Sequence, residues 1–454
     1  MALEAGASQV RITPPVGVDL SGYGDREGPS IKVHDDLWCR AVMLRNGAAS
    51  LAVVSLDVLG LDFPLDAAIR QQVSQASGLN PEHLLLNCSH THAGPAVASA
   101  YPVPPPWVSR GLGLALGGPD EGYVATLPAL VAEAVVAASQ RLAPAAAAFG
   151  VAPARVGINR RERRPDGTVV IGRNPQGLRD ESVRVLQVSG PRAEPIALLF
   201  SHACHGTTLG GENREISAEW MGAACLELQA RLKSGAIPMF LQGCCGNINP
   251  DREERSFQQV ARHGAAMAEA VLAAVRTAQP VSGEALRARL MQVQLPLQNA
   301  PGPAAARAEL ARAEAELARA KQAGQHPYRV RTRAELVHYW QGVLSLAERG
   351  ARELKLPFAV QAMAIGEVAL VALSGEVFLE FAHQIAAGSP FRHTLVLGYS
   401  NGCTGYVPTA EAIAEGGYEP DQSFRYYGTL PLAPEAGEEM VVGAVGLLRD
   451  LHRS

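Results

Sequence analysis

Five short apolar runs in this chain of 454 residues end in the same way. LLLN at 84–87 runs into CSHTHAG, IALLF at 196–200 into SHACHGTT, and IPMFLQ at 237–242 into GCCGNINPD. VALVAL at 368–373 runs into SGEVF, and TLVLG at 394–398 into YSNGCTGY. Apolar runs of this length, bounded by Gly, Ser, Pro and Asn, read as buried strands. In open α/β sheets, ligands sit beyond the carboxyl ends of the strands. Turn chemistry accounts for the glycines and serines at these ends. It does not account for His90, His92, His202, His205 and Glu376 collecting there.

Residues i and i+2 of an extended chain share a face. His90 and His92 would therefore stand side by side, which suits a divalent metal, zinc above all. His202 and His205 compete as a third nitrogen ligand. Glu376, at a strand-to-helix junction, is either a further ligand or a carboxylate facing a helix dipole.

Around these ends the chain alternates strands and helices. Residues 8–60 read as strands, 64–76 as a helix, and Leu84 opens the next strand, a parallel βαβ unit. A second unit follows with strand 196–200, helix 218–232 and strand 237–242. A helix is expected over 123–141, a Pro/Gly-rich functional loop over 101–118, and a loop over 156–172 between two strands. Further helices are expected over 257–276, 376–387 and 438–451. Residues 303–354 read as two long helices joined near Gln325-His326-Pro327. No linker or internal repeat divides the sequence. The expected fold is one α/β domain over 1–454, with a mixed, largely parallel sheet flanked by helices and a helical-hairpin insertion.

Composition narrows the function. A net charge of −4 with 5% aromatics gives no footprint for nucleic acid. No apolar run approaches the roughly 20 residues of a membrane span, and the start, MALEAGASQVRITPP, has no secretory pattern. Seven cysteines, an odd number without a CxxC motif, argue against a disulfide framework and for a cytoplasmic protein with reduced thiols.

In order along the chain, HTHAGP, HGTT, INR, GNINP, SGEVF and SNGCTGYVPT followed by YE resemble the neutral ceramidase family of zinc-dependent amidases. The resemblance implies one zinc per chain on His90, His205, Glu376 and Tyr418. It makes His92 a histidine standing behind the ligands, and Arg160 and Tyr406 substrate-contacting residues. One departure bears on chemistry. Where the family has Gly-Asp-Val-Ser-Pro-Asn with a catalytic serine, this chain has Gly246-Asn247-Ile248-Asn249-Pro250-Asp251. An amide side chain is no nucleophile, so attack falls to water activated by the metal. The sequence also stops short of the family's β-rich C-terminal domain.

The expected activity is hydrolysis of the C–N bond of a small N-acyl amide. His92 would carry the proton, Tyr406 would donate to the oxyanion, and Arg160 would clamp a carboxylate or carbonyl. Gly246, Asn247 and Asn249 would position the substrate. Ester or lactone hydrolysis, a non-catalytic binding relative, and a cysteine nucleophile (Cys88, Cys204, Cys244, Cys245 and Cys403 all fall near the site) are the alternatives. The helical pair would be a lid or a face for a second copy of the chain in a homo-oligomer.

Overall fold

A computed structural model describes residues 2–97, 107–108, 118–232 and 235–454, so nearly all of the loop expected at 101–118 lies outside the described residues. The chain writes one topology three times. In the first unit β1 (Glu4–Arg11) is followed by the two-residue β2 (Lys32–Val33), then by β3 (Trp38–Asn46) and β4 (Ala49–Leu56). Strands β1, β3 and β4 form an antiparallel meander; α1 (Phe63–Ser77) crosses over to β5 (Leu84–Cys88), parallel to β4. Helix α2 (Glu121–Ser139) then returns to β6 (Ala143–Pro144) beside β1.

The second unit repeats this order. Strand β7 (Ala146–Pro153) precedes the hairpin β8 (Gly157–Arg163) and β9 (Val169–Asn174). The meander continues through β10 (Ser182–Ser189) and β11 (Pro195–His202). After β12 (Glu215–Ile216), α3 (Glu219–Leu232) crosses to β13 (Ile237–Gln242), parallel to β11. Strand β14 (Ile248–Pro250) and α4 (Phe257–Thr277) lead to β15 (Gln279–Pro280) beside β7.

In the third unit β16 (Leu286–Pro296) precedes the helical pair α5 (Pro303–Gln322) and α6 (Pro327–Glu348). Strands β17 (Lys355–Ile365) and β18 (Val368–Leu373) complete the meander. Then β19 (Glu376–Val377) and α7 (Leu379–Gly388) lead to β20 (His393–Leu397), parallel to β18. The chain closes with β21 (Tyr406–Val407), α8 (Ala410–Glu415), α9 (Tyr418–Asp421) and α10 (Ala436–Arg453).

A single mixed α/β domain with a helical insertion is therefore what forms. Parallel pairing, however, does not dominate. The strands lie in several sheets, and in the three large ones only the crossover pair is parallel. The reason is loop length. The turns at Gly47 and at Gly366-Glu367 are too short to join anything but antiparallel neighbours. The threefold repeat escapes the sequence because it lies in connectivity, not in side chains. The loop expected at 156–172 is the β8–β9 hairpin, turned at Gly167 with φ 86°. The helix expected from Glu376 starts later, because Glu376 and Val377 stay extended to pair with Tyr406 and Val407.

One core cluster joins Val53 and Leu85 of the first sheet, Leu199 and Leu241 of the second, and Leu370 and Leu395 of the third. Burial of such side chains is the main stabilising term. Helix α2 is long and apolar enough by composition to cross a membrane, contrary to the reading of the sequence. It buries Leu127, Val131, Val135 and Ala138 and packs against α1, β1 and β3, as a core helix of a globular domain does.

The fourth strands of all three units end together, held by one side chain. The buried Asn87 donates from Nδ2 to Gly398 O (2.9 Å), Ser400 Oγ (3.0 Å) and Gln242 O (3.3 Å). Its Oδ1 accepts from Gln242 N–H at 2.7 Å. One amide thus ties β5 to the ends of β13 and β20, and this is where the histidines emerge.

The connection between the first and second strand of each unit is the long one, and all three crowd the same end. The first unit sends the loop 12–37, the second the β8–β9 hairpin, the third the helical pair. Helix α6 docks on the first loop through Asp19, whose carboxylate accepts from Tyr328 Oη (2.5 Å), Arg331 Nη1 (3.0 Å) and Gly118 N–H (2.8 Å). Further along α6, Tyr339 Oη donates to Thr429 O at 3.0 Å, and Arg425 stacks on Trp340. An Asp19→Ala protein should release the start of α6. Amide exchange over 326–332 is expected to speed up about tenfold or more, the scale of losing a charged hydrogen-bond network. Unchanged exchange there would refute the docking.

Candidate metal centre

His90, His92 and His205 bring their ligand nitrogens within 4.8 Å of one another. His90 follows β5 in the left-handed region, φ 60°, where a non-glycine residue is strained. Glu219, Tyr399 and Asn401 share that conformation close by. Each ring is fixed by a backbone carbonyl at Nδ1: Leu59 O for His90 (2.7 Å), Gly22 O for His92 (3.1 Å) and Cys245 O for His205 (2.8 Å). Nδ1 must then carry the proton, leaving the Nε2 lone pairs facing inward. His90 and His92 Nε2 are 3.1 Å apart. Glu376 Oε2 lies 3.2 Å from His205 Nε2 and 3.4 Å from His90 Nε2.

Buried lone pairs aimed at one another and at a carboxylate repel unless a proton or a cation lies between them. The donor set therefore fits a divalent ion. Burial alone would raise the Glu376 carboxyl, but His90 and His205 hold it well below the usual carboxylate range. Burial, then the neighbouring His90 and His205, pushes His92 well down; burial and Arg160 lower His205 to about 4. A neutral His92 and His205 beside an ionised Glu376 are protonation states that metal binding requires.

Tyr399 Oη donates to Glu376 Oε2 at 3.2 Å, and the Tyr427 hydroxyl bonds Oε1. The β8–β9 hairpin supplies Arg160. Its Nε donates to Glu419 Oε1 (2.8 Å), and its Nη1 lies 3.3 Å from both His205 Nε2 and Asn249 Oδ1. The guanidinium stands 5.2 Å from the Tyr406 ring centroid and 5.9 Å from that of Tyr418. Tyr406 is set by pairing of β21 with β19, directly opposite Glu376.

So His90, His92, His205, Glu376, Arg160, Tyr406 and Asn249 share one site. Tyr418 stands further out. Its ring contacts Tyr406 and Tyr426, and among the described residues its hydroxyl bonds neither Glu376 nor a histidine. Asn247 and Gly246, expected to position substrate, sit against the segment from Glu376 to Glu380. Asn247 spends its amide on Glu380 (2.8 Å) and on Leu379 N–H (3.1 Å), at the start of α7. A Cβ on Gly246 would come 2.4 Å from Glu376 O. His202 turns away and binds Ser182 O at 3.1 Å. Burial pushes the Cys88, Cys204 and Cys245 thiols well up, the reverse of what a thiolate nucleophile needs.

Sequence reasoning missed Tyr399, Tyr427 and Glu419. The first and last lay inside quoted motifs, YSNGCTGY and YE, without an assigned role; Tyr427 carried no signal. It also missed Tyr23 and Arg26 of the loop 12–37. Tyr23 packs 5.0 Å from the His92 ring, and Arg26 Nη2 donates to His92 O at 2.6 Å.

Glu219 adds a pH dependence. Burial raises its carboxyl to about 7, although Leu209 N–H, Thr208 and Trp220 N–H oppose the rise. The folded chain thus keeps a proton that the unfolded chain has lost above about pH 4.5, and stability falls as pH rises toward 7. The loss is about 3 kcal/mol at most. Denaturant midpoints should fall between pH 5 and 8 in the wild type, with a clearly shallower slope in Glu219→Gln. Equal slopes would contradict this.

These features define a mixed α/β protein with a buried histidine–carboxylate centre able to hold a metal ion. The model of the family "Neutral/alkaline non-lysosomal ceramidase, N-terminal" matches residues 4–254, and the chain belongs to this family. Family and fold make it a hydrolase of the amide-bond kind. Among solved structures, a ceramidase complexed with C2 is 18% identical with a TM-score of 0.75, the match covering 100% of this chain and 76% of that one. The neutral ceramidase from Pseudomonas aeruginosa is 19% identical with a TM-score of 0.71, covering 100% and 75%. No curated protein matches the sequence.

Proposed function

We propose that this chain hydrolyses the amide bond of a small N-acyl compound, using one zinc ion held by His90, His205 and Glu376. The observation that carries the proposal is the set of imidazoles pinned at Nδ1, whose Nε2 atoms converge on an ionised carboxylate. By family resemblance Tyr418 is the candidate for the fourth position. When bound, zinc supplies Lewis-acid polarisation of the scissile carbonyl and lowers the pKa of water.

The chain's own residues do the rest. His92, beside His90 and oriented by Gly22 O, takes the proton of the attacking water and returns it to the leaving nitrogen. Arg160 holds an oxygen of the substrate, and Tyr406 donates to the oxyanion. Tyr399 and Tyr427 fix the Glu376 carboxylate. Asn249 cannot attack, so no acyl-enzyme forms at the position of the family's serine. Seven cysteines, all buried, support a reducing compartment such as the cytoplasm.

A hydrolysis screen over N-acyl amides of varied chain length, with esters and lactones beside them, tests this. Amide cleavage that disappears on chelation and returns with zinc is expected. Cleavage of esters alone, or full activity in the metal-free chain, would overturn it.

A further inference from the structure

We propose that Arg160 and Asn249 form a fork for a carboxylate, so that the amide taken by this site carries an acid group close to the scissile bond. This rests on the hydrolase reading above and narrows its substrate class. The Arg160 side chain is only 4% exposed. Its Nε is spent on Glu419, and its Nη1 faces His205 and Asn249. Its Nη2 is buried and makes no hydrogen bond of normal geometry among the described residues, with the Tyr406 hydroxyl beside the guanidinium. Buried polar groups in native proteins are paired, and an unmade bond from a charged donor is costly. An orphan guanidinium N–H in a cleft therefore marks where a ligand oxygen belongs. In the planar guanidinium Nη2 shares one edge with Nε and the other with Nη1, so one of its hydrogens lies on the Nη1 edge.

Asn249 supplies the second prong. Strand β14 holds it opposite Ile158 of β8, two residues from Arg160. Its Oδ1 accepts from Arg160 Nη1, which leaves the Nδ2 hydrogens of the same planar amide as donors beside the guanidinium. Where the family's serine offers one hydroxyl, this chain offers two N–H groups and no nucleophile.

Charge selects the ligand. Arg160 and Arg161 share the single carboxylate of Glu419, at 2.8 Å each. Glu415 is shared between Arg161 and Arg163. Glu419 is thereby divided between two buried guanidiniums, and the open Nη2 is the Arg160 donor left unmatched. A neutral carbonyl would fill the bond but add no charge of its own. A carboxylate satisfies both, in the bidentate geometry that guanidinium favours.

The acid could sit on the amine side or the acyl side of the bond, and the probes separate the two. N-acetylglycine, succinamic acid and the neutral N-acetylglycinamide are titrated calorimetrically into the full chain after chelation, so that neither turnover nor the metal contributes. One of the acids is expected to bind about tenfold to a hundredfold tighter than the neutral amide. Asn249→Leu and Arg160→Gln should each erase about tenfold of the acid-over-neutral preference, whatever either does to the neutral amide itself. Equal affinities, no binding of either acid, or an unchanged preference in Asn249→Leu with its fold intact by circular dichroism would overturn the fork. If the acids bind but no amide is ever cleaved, the hydrolase reading fails and the fork stands. If neutral amides are cleaved as fast as acidic ones, the fork fails and the hydrolase reading stands.

Discussion

Replacing His92 by alanine is expected to leave the metal in place and to cut turnover by roughly two to four orders of magnitude, the usual worth of a positioned acid–base group. The reasoning is geometric. Glu376 lies against His90 and His205, whereas His92 is held by Gly22 O and its Nε2 meets, among the described residues, only that of His90. His92 is also the least buried of the three rings. A ring in that position faces incoming substrate and water, while the other two face the carboxylate. Metal content and kcat should be measured on the same His92→Ala preparation. Loss of metal along with turnover would make His92 a third nitrogen ligand and remove it as the proton carrier.

Asn87→Leu is expected to destabilise the fold by roughly 3–5 kcal/mol, the range for breaking a buried polar network. Leucine fills a similar volume but strands the buried Gln242 N–H and leaves Gly398 O only its bond from Ser400 Oγ. Because Asn87 joins the fourth strands of all three units, the damage should spread to the site, and metal affinity should fall together with the denaturant midpoint. A midpoint within about 1 kcal/mol of wild type would show that the three strand ends are held by packing alone.

The places where the chain does chemistry were the most legible part of the sequence. His90, His92 and Glu376 could be found because an apolar strand run that ends in an ionisable residue departs from ordinary turn composition; the same argument left His202 and His205 level, and the family resemblance chose His205. Tyr399 and Tyr427 were not legible in this way. They act by touching Glu376 from a strand end and from a later segment, and nothing local to a tyrosine says which carboxylate it will meet. Asn247 misled for the opposite reason. Its place beside Asn249 suggested substrate contact, but its amide bonds Glu380 and Leu379 N–H at the start of α7. In the fold, local signals gave most elements, because the meander strands and amphipathic helices follow their own periodicity. The threefold topology was hidden because three connections of unlike chemistry fill the equivalent place in each unit: a glycine-rich loop, an arginine-bearing hairpin and a helical pair.

That equivalence gives the helical pair a role. The first-unit loop orients His92 through Gly22, and the second-unit hairpin delivers Arg160. The third-unit helices brace the first loop at Asp19 and the segment that carries Tyr427 at Thr429. They therefore buttress two segments that reach the histidine–carboxylate cluster.

The central claim is that His90, His205 and Glu376 hold a metal ion. Elemental analysis of the purified wild-type chain beside His90→Ala tests it most directly. The account predicts about one zinc per chain in the wild type and essentially none in His90→Ala, the result of removing one ligand from a set this small. A wild-type chain without metal, or a His90→Ala chain that keeps a full complement, would contradict it.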